Sequence, residues 1–277
     1  MREGGAVLEC VINVSEGRDE SVLAALRDAA GPTVLDVHTD PHHHRSVFTL
    51  AGPEVEEAAR RLATEAVARI DLTNHEGAHP RLGAVDVVPF APLAGSSDAE
   101  VILARDSFAE WAGDELGVPC FLYGPERALP DIRRDAFTSL APDTGPPEPH
   151  PSAGATSVGA RHVLVAFNLW LSDDATVEVA RQIAAEVRDP ALRALGLDVG
   201  GRAQVSCNLV DPQAVGPGAA YVAVSVQAKD AGVKVVGAEL VGLLPATVLA
   251  GVARSRWDAL DLDPSKTIEA RLEAAGL

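Results

Sequence analysis

The sequence predicts an α/β (α+β) protein that contains two helix-backed sheets. Short apolar runs of strand length alternate with longer segments whose apolar residues recur at the 3.6-residue period of a helix. The order of elements β-α-β-β-α-β occurs in each half of the chain, and this order is typical of ferredoxin-like folds. A length of 277 residues is ample for two such units. We therefore expect two ferredoxin-like β-α-β-β-α-β subdomains, residues 1–160 and 161–277.

The first half adds one helix and one strand to this order. Its apolar runs predict strands and its amphipathic segments predict helices, the second of which starts directly after a proline. The predicted strands are residues 7–14, 33–38, 46–52, 84–92 and 119–123. The predicted helices are residues 20–30, 54–70 and 98–116.

Composition changes between residues 124 and 159, where prolines recur at positions 125, 130, 142, 146, 147, 149 and 151. Long loops inside compact proteins are commonly either functional or disordered. Prolines reduce the entropy that ordering removes. We therefore interpret this segment as one long, stiff, functional loop.

The second half has the same alternation. The predicted strands are residues 162–171, 195–199, 203–209 and 233–236. The predicted helices are residues 174–188, 218–231, 245–253 and 264–275, the last of which has proline at its start.

The net charge excludes some classes of partner. The chain has 40 acidic and 23 basic residues, a formal net charge of −17, whereas binding to nucleic acid or an anionic membrane requires a basic face. A small ligand is more plausible, and an anionic one would need a local group of arginines. Cys10, Cys120 and Cys207 are widely spaced and predict neither disulfides nor a zinc finger. With no apolar signal core and no run of membrane-spanning length, we expect a cytoplasmic protein.

A polar segment at residues 74–83, NHEGAHPRLG, lies between a predicted helix and a predicted strand. Pro80 favours an extended conformation at His79, and the flanking glycines let the backbone bend around it. An imidazole fixed at a sheet edge can accept and return protons near neutral pH. His79 is therefore the candidate general acid/base, although the spacing fits a purely structural histidine equally well.

A metal site is an alternative use of the histidines. His75 and His79 are four residues apart, and His42, His43 and His44 form a second cluster, so five imidazoles could supply a zinc site. Glycine and proline deny the first pair a common helical face, and adjacent residues on an extended chain cannot all point one way. We therefore expect no metal.

Three arginines, Arg18, Arg45 and Arg81, lie in polar segments beside predicted strands. Guanidinium groups bind carboxylates through paired hydrogen bonds. An isolated arginine is more often part of a surface ion pair of little energetic value. We predict that these three converge to bind substrate carboxylates.

Several stretches resemble, in the same order, the glutamate formiminotransferases. They are ECV at 9–11, NVSEGR at 13–18, RSVFT at 45–49, HPRLGAVDVVPF at 79–90, LYG at 122–124, GATSVGAR at 154–161 and VGLLP at 241–245. The resemblance implies two similar subdomains whose sheets enclose a folate-binding tunnel, usually in a homodimer. Position 44, commonly asparagine in the family, is His44 here.

The resemblance also implies an activity. The family transfers the formimino group of N-formimino-L-glutamate to N5 of tetrahydrofolate, a co-substrate, in histidine degradation and one-carbon metabolism. The catalytic histidine of the family falls on His79, and no cyclodeaminase activity is expected. The folate-contacting stretch falls within the proline-rich loop, on Gly145, Pro146, Pro147, Glu148, Pro149, His150, Pro151, Ser152, Ala153 and Gly154.

Two functions from other classes stay open. A folate-binding protein without turnover would keep the fold but would not need His79. A metal-assisted hydrolase of formiminoglutamate would use the histidine clusters and would release the group to water instead of folate.

Overall fold

The structure, a computed structural model, describes residues 7–77, 81–93 and 95–277. These residues form two compact units that divide between Arg161 and His162. Each unit contains one sheet with helices packed against it. The predicted fold class, α/β with two helix-backed sheets, is therefore confirmed.

The first unit is built on a six-stranded sheet. Its strands are β1 (Leu8–Val14), β2 (Val34–Asp40), β3 (Arg45–Gly52), β4 (Val85–Pro92), β5 (Cys120–Tyr123) and β6 (Thr156–Ala160). The order across the sheet is β2-β3-β1-β4-β6-β5. Strands β1 to β4 pair antiparallel, whereas β6 runs parallel to β4 and to β5. The first four strands thus have the ferredoxin-like arrangement, and β6 and β5 extend it.

Three long helices, α1 (Glu20–Ala30), α2 (Val55–Arg69) and α3 (Asp98–Glu115), contribute to the apolar core of this unit. Alternate residues of β1 are buried in that core, as expected for a strand with one face covered. Helix α3 begins with a capping box in which Ser97 and Glu100 satisfy each other's backbone N–H groups. Apolar periodicity and local capping explain why these helices form where the sequence predicts them.

The prediction of one uninterrupted loop at residues 124–159 is wrong. This segment contains a short helix, α4 (Leu129–Asp135), and most of β6. Strand β6 consists of small residues that are all buried between parallel neighbours, so its sequence does not show the alternation of a half-exposed strand. Helix α4 is too short to show a clear apolar period, because Ile132 is its only buried residue.

Gly159 of β6 allows the ring of Tyr123 on the paired strand β5 to lie across it. A Cβ atom at position 159 would lie 2.1 Å from Tyr123 Cζ. We expect Gly159→Ala to lower the free energy of unfolding by about 1–3 kcal/mol, because the ring must move. Gly218→Ala is the control, since a Cβ atom there meets nothing nearer than 3.9 Å. Equal unfolding midpoints in urea for the two variants would contradict this expectation.

The second unit is a four-stranded antiparallel sheet. Its strands are β7 (Val165–Leu171), β8 (Leu192–Val199), β9 (Arg202–Leu209) and β10 (Val235–Val241), in the order β10-β7-β9-β8. Its helices are α5 (Val177–Glu186), α6 (Pro217–Asp230), α7 (Ala246–Ala250) and α8 (Ile268–Ala275). The first strand again lies between the third and the fourth, which is the ferredoxin-like order.

Some element ends in the second unit differ from the prediction. Strand β8 begins three residues earlier, at Leu192, and β10 continues to Val241 instead of ending at residue 236. The last helix begins at Ile268, because Pro264–Lys266 forms a separate 3₁₀ turn. Among the helices that the structure describes, none has both the length and the apolar composition that crossing a membrane requires.

Candidate active site

Three polar segments of the first unit meet at one end of its sheet. Val14, the last residue of β1, pairs with Ser46 near the start of β3 and with Val85 at the start of β4. Asp40, the last residue of β2, pairs with Arg45, the first residue of β3. The segments that follow β1, connect β2 to β3 and precede β4 therefore leave or enter the sheet at the same end.

Asp40 shapes the turn that carries the three consecutive histidines. Its Oδ1 accepts hydrogen bonds from the backbone N–H groups of His42 (2.8 Å) and His43 (2.9 Å), and its Oδ2 lies 2.5 Å from His43 Nδ1. Burial acts to raise the pKa of Asp40, but the bonds to His43 hold it far below its ordinary value. The turn separates the histidines, since His42 is exposed while His44 faces the segment after β1.

Glu16 binds its own turn and His44. Its Oε1 accepts hydrogen bonds from the backbone N–H groups of Gly17 (2.8 Å), Arg18 (2.7 Å) and Asp19 (3.0 Å), and it lies 3.0 Å from His44 Nε2. Burial acts to raise the pKa of Glu16, but these N–H groups and His44 lower it below its ordinary value. The carboxylate is therefore ionised at neutral pH, and its charge faces the His44 ring.

His75 stacks on His44, with ring centroids 3.9 Å apart and planes inclined by 16°. His75 Nε2 lies 2.7 Å from the carbonyl oxygen of Ser15 and donates to it, while Nδ1 lies 2.5 Å from Arg81 Nη1 and accepts from it. Burial, followed by the charges of Arg81 and His44, lowers the pKa of His75. His75 is therefore a neutral imidazole with its tautomer set by these two neighbours.

Asp86 occupies a β-bulge in β4. Asn13 pairs with Val87 and Val14 pairs with Val85, so Asp86 is the extra residue on its strand. A bulge re-aims a side chain that regular pairing would direct elsewhere. The bulge explains how a carboxylate in an apolar strand reaches the arginines of this end of the sheet.

Asp86 orients two guanidinium groups. Its carboxylate accepts two hydrogen bonds from Arg133 (2.8 and 2.5 Å) and one from the backbone N–H of Leu82 (2.6 Å), and Arg45 Nη1 lies 3.7 Å away. Burial acts to raise the pKa of Asp86, but Arg133, Arg45 and the Leu82 N–H hold it below its ordinary value. Arg45 also donates from Nε (3.1 Å) and Nη2 (2.5 Å) to Asn13 Oδ1.

The three arginines predicted from the sequence lie in this region. Burial is the main cause that lowers the pKa of Arg45 to about 10, and the charges of Arg133 and Arg81 lower it further. The pKa of Arg81 is lowered by burial and by the charge of Arg18. Arg18 Nε donates to the carbonyl oxygen of Pro41 (2.8 Å). These arginines therefore lie in one region together with the carboxylates of Glu16, Asp40 and Asp86, and their role in binding substrate carboxylates stays a prediction.

Arg133 is not identified by the sequence, because it lies on α4 in the segment interpreted as loop. The signal that could have found it is Pro130 in the first turn of that helix, a position where proline is common. The sequence also gives no sign of the contact between Glu16 and His44. Pairing between strands that are distant in the sequence brings these two residues together, and a local sequence pattern cannot predict such pairing.

The predicted folate-contacting loop returns to the segment that precedes β4. The backbone N–H of Leu72 donates to Ser152 O (2.8 Å), and the N–H of Ala84 donates to Ala153 O (2.9 Å). Residues 147–149, in the middle of the loop, are exposed. The loop is therefore anchored at Leu72 and at Ala84, and its contact with folate stays a prediction.

Close backbone approaches hold both ends of this loop. Gly145 packs against α3, where a Cβ atom on Gly113 would lie 2.7 Å from Gly145 Cα. His150 and Gly154 exchange backbone hydrogen bonds of 2.8 and 2.9 Å. Gly154 has φ of 69°, and a Cβ atom there would lie 2.3 Å from Leu82 O, so glycine is required at this point. Pro146 and Ser152 are partly buried, Ala153 is buried and Pro151 is exposed.

His79 lies outside the described residues, so its role stays a prediction. The histidine and arginine cluster consists of Arg18, Arg45, Arg81, His44 and His75. In the sequence, Gly77 and Arg81 lie on either side of His79, and both contact residues of this cluster. Gly77 packs so closely that a Cβ atom there would lie 2.9 Å from His44 Cβ, and Arg81 binds the ring of His75. Within residues 7–77, 81–93 and 95–277, no group of three or more His, Cys, Asp or Glu side chains is arranged to hold a metal ion.

Comparison with known proteins extends the similarity to nearly the whole chain. The family model for the formiminotransferase domain, N-terminal subdomain, matches residues 7–161, and the model for the formiminotransferase domain matches residues 166–268. The chain is 37% identical to the glutamate formimidoyltransferase of Streptococcus pyogenes serotype M1, over 95% of this chain and 97% of that protein.

Two further relatives agree. The chain is 34% identical to the glutamate formimidoyltransferase of Thermoplasma acidophilum, over 98% of each protein. It is 36% identical to the formimidoyltransferase-cyclodeaminase of Sus scrofa over 89% of this chain, which corresponds to 52% of that protein. The chain therefore belongs to the formiminotransferase domain family.

Proposed function

We propose that this protein is a glutamate formimidoyltransferase, which transfers the formimino group of N-formimino-L-glutamate to N5 of tetrahydrofolate. The observation that carries the proposal is similarity over nearly the whole chain to two proteins named glutamate formimidoyltransferase, at 37% and 34% identity. The arginine and histidine cluster of the first unit supports it, because the reaction needs anion binding and proton transfer at one place.

The chemistry of this transfer is mainly a problem of moving protons. The formimino group is an amidine, which is protonated at neutral pH, so its carbon is already electrophilic. Attack by N5 of tetrahydrofolate forms the new C–N bond and leaves a proton on N5 that must be removed. The nitrogen of glutamate must gain a proton as its own C–N bond breaks. One imidazole can accept the first proton and donate the second, and we assign this role to His79.

Substrate carboxylates are the proposed ligands of Arg18, Arg45 and Arg81. Both substrates carry carboxylate groups, and a guanidinium held in place loses little side-chain entropy when it binds one. The contacts of Arg45 with Asn13 and Asp86 support this role, because they fix its orientation before a ligand arrives.

Folate contact is proposed for residues 145–154. The hydrogen bonds from Leu72 and Ala84 hold Ser152 and Ala153 of this loop at the segments that follow α2 and precede β4. We expect a ligand bound along the loop to lie near these two segments. Alignment of two substrates in this way can contribute a large part of a rate enhancement.

The proposal includes the setting of the enzyme. We place the activity in histidine degradation and one-carbon metabolism, in the cytoplasm, in a homodimer, and with no metal, nucleic-acid or membrane partner. We further assign residues 1–160 and 161–277 to the N- and C-terminal subdomains. The alternative of a metal-assisted hydrolase is less well supported, because His44 and His75 direct both ring nitrogens to protein groups.

Release of glutamate from N-formimino-L-glutamate tests the proposal. The purified protein is assayed with and without tetrahydrofolate, and each condition is repeated after treatment with a chelator. We expect release that requires tetrahydrofolate and is unchanged by the chelator. Release without tetrahydrofolate would indicate the hydrolase, and binding of tetrahydrofolate without any turnover would indicate a binding protein.

A further inference from the structure

Tyr123, the last residue of β5, is a buried phenol with no part in the proton transfers assigned to His79. It pairs with Gly159 of β6, and its ring occupies the space that a Cβ atom at position 159 would need. Tyr123 belongs to one apolar cluster with Val87 of β4 and Ile132 of α4. Its side chain therefore lies on the face of the first sheet that α4 covers.

Arginine side chains of the candidate site lie close to this phenol. Arg133 of α4 binds Asp86 through two hydrogen bonds, and its charge also acts on Tyr123. Arg161 acts on Tyr123 through its charge and by donating a hydrogen bond to the phenol oxygen. The charges of Arg45 and Tyr123 interact as well. Tyr123 thus shares its surroundings with Arg45, one of the residues assigned to substrate carboxylates.

The phenol is a neutral hydrogen-bond donor at neutral pH. Burial raises the pKa of Tyr123 to about 12, although the charges of Arg161 and Arg133 act to lower it. Within the part of the chain that the structure describes, the O–H group of Tyr123 donates to no other residue. A buried donor without an acceptor costs free energy. An anionic group of a bound ligand would supply the acceptor and remove this cost.

We propose that the Tyr123 hydroxyl binds substrate by donating a hydrogen bond to the carboxylate of N-formimino-L-glutamate that Arg45 also binds. The inference rests on the proposed function and adds a residue to its binding site. Tyr123 and Asp86 are both buried, so their surroundings fit the compact formimino donor better than the carboxylates at the end of the much longer tetrahydrofolate. An O–H group that donates to a carboxylate forms a stronger hydrogen bond than one that donates to a neutral acceptor.

The test measures the Kd of N-formimino-L-glutamate by isothermal titration calorimetry. We expect Tyr123→Phe to raise Kd by about 10–100-fold, the effect of losing a hydrogen bond to a charged group. Phenylalanine keeps the ring that lies across Gly159, so the unfolding midpoint in urea should stay close to that of the wild type. Tyr221→Phe is the matched control. Tyr221, the other tyrosine of the chain, lies beside Arg256 in the second unit, and its replacement should leave Kd unchanged.

Two analogues that each lack one carboxylate separate a direct contact from a structural role. N-formimino-γ-aminobutyrate lacks the α-carboxylate, and N-formimino-α-aminobutyrate lacks the side-chain carboxylate. We expect the effect of Tyr123→Phe on Kd to shrink to less than about twofold for one analogue and to persist for the other, because the hydroxyl meets only one carboxylate. An equal effect on all three ligands, or an unchanged Kd for N-formimino-L-glutamate, would overturn the inference.

Steady-state kinetics distinguish failure of the inference from failure of the proposed function. In Tyr123→Phe, KM for N-formimino-L-glutamate should rise, while kcat and KM for tetrahydrofolate stay within about twofold of the wild type. A rise in KM for tetrahydrofolate instead would overturn the inference and leave the proposed function standing. If the wild type binds N-formimino-L-glutamate without turnover, the proposed function fails and the calorimetric comparison decides the inference. A wild type that does not bind this substrate would overturn both.

Discussion

Replacing His79 with alanine is expected to lower kcat for formimino transfer by about 10²–10⁴-fold, the range typical of a positioned general acid/base. In the proposed reaction the imidazole of His79 removes a proton from N5 and donates one to the leaving nitrogen, and alanine can do neither. The binding of both substrates should change little, because the carboxylate contacts assigned to Arg18, Arg45 and Arg81 remain. The measurement is steady-state kinetics with each substrate varied in turn.

His42→Ala is the matched control for this experiment. His42 belongs to the neighbouring histidine cluster, but it is exposed, and we give it no role in the reaction. Its kcat should equal that of the wild type. If His79→Ala retained a kcat within about threefold of the wild type, well below the usual effect of losing a general acid/base, the proton-transfer role of His79 would be wrong.

Asp86→Asn is expected to lower the free energy of unfolding by about 3–5 kcal/mol, because it removes the charge that compensates two largely buried guanidinium groups. The Asp86 side chain is 2% exposed and those of Arg45 and Arg133 are 20% and 22% exposed, so solvent screens this loss only in part. The measurement is equilibrium unfolding in urea. Glu178→Gln is the control, since it removes one charge of an exposed pair with Arg181 and should leave the unfolding midpoint in urea unchanged.

The same carboxylate makes stability depend on pH. The pKa of Asp86 is lower in the folded protein than its ordinary value. The contribution of its charge to the free energy of unfolding is therefore complete above about pH 4 and is lost as the pH falls through the folded-state pKa. We expect Asp86→Asn to lose less stability than the wild type on acidification below pH 4. Parallel losses in the two proteins would show that Asp86 does not carry this dependence.

The regular elements could be predicted because their signals are local. Helices α1 and α2 are amphipathic, and α3 begins with a capping box. The order of β1 to β4 in the first sheet and of all four strands in the second sheet follows from the repeated β-α-β-β-α-β pattern. Strand β6 could not be predicted, because five small residues buried between parallel strands carry no alternation. Apolar and polar residues alternate along a strand when one of its faces is exposed, and a strand that is buried on both faces shows no such alternation.

The candidate site was predictable in part for a similar reason. Arg18, Arg45 and Arg81 could be predicted as candidates because arginines in polar segments stand out in a chain with a large excess of acidic residues. The structure places Arg45 close enough to Arg81 for their charges to interact. The bulge that aims Asp86 and the stack of His44 on His75 depend on pairing between strands distant in the sequence. Arg133 lies on α4 and binds Asp86. This helix could not be predicted, because its segment is rich in proline.

The most direct test of formimino transfer follows the transferred carbon itself. N-formimino-L-glutamate labelled with ¹³C in the formimino carbon is incubated with the protein and tetrahydrofolate, and labelled folate and glutamate are quantified by mass spectrometry. The account predicts that labelled 5-formiminotetrahydrofolate and glutamate form in equal amounts. Label in formamide or formate, with glutamate formed and tetrahydrofolate unmodified, would contradict it.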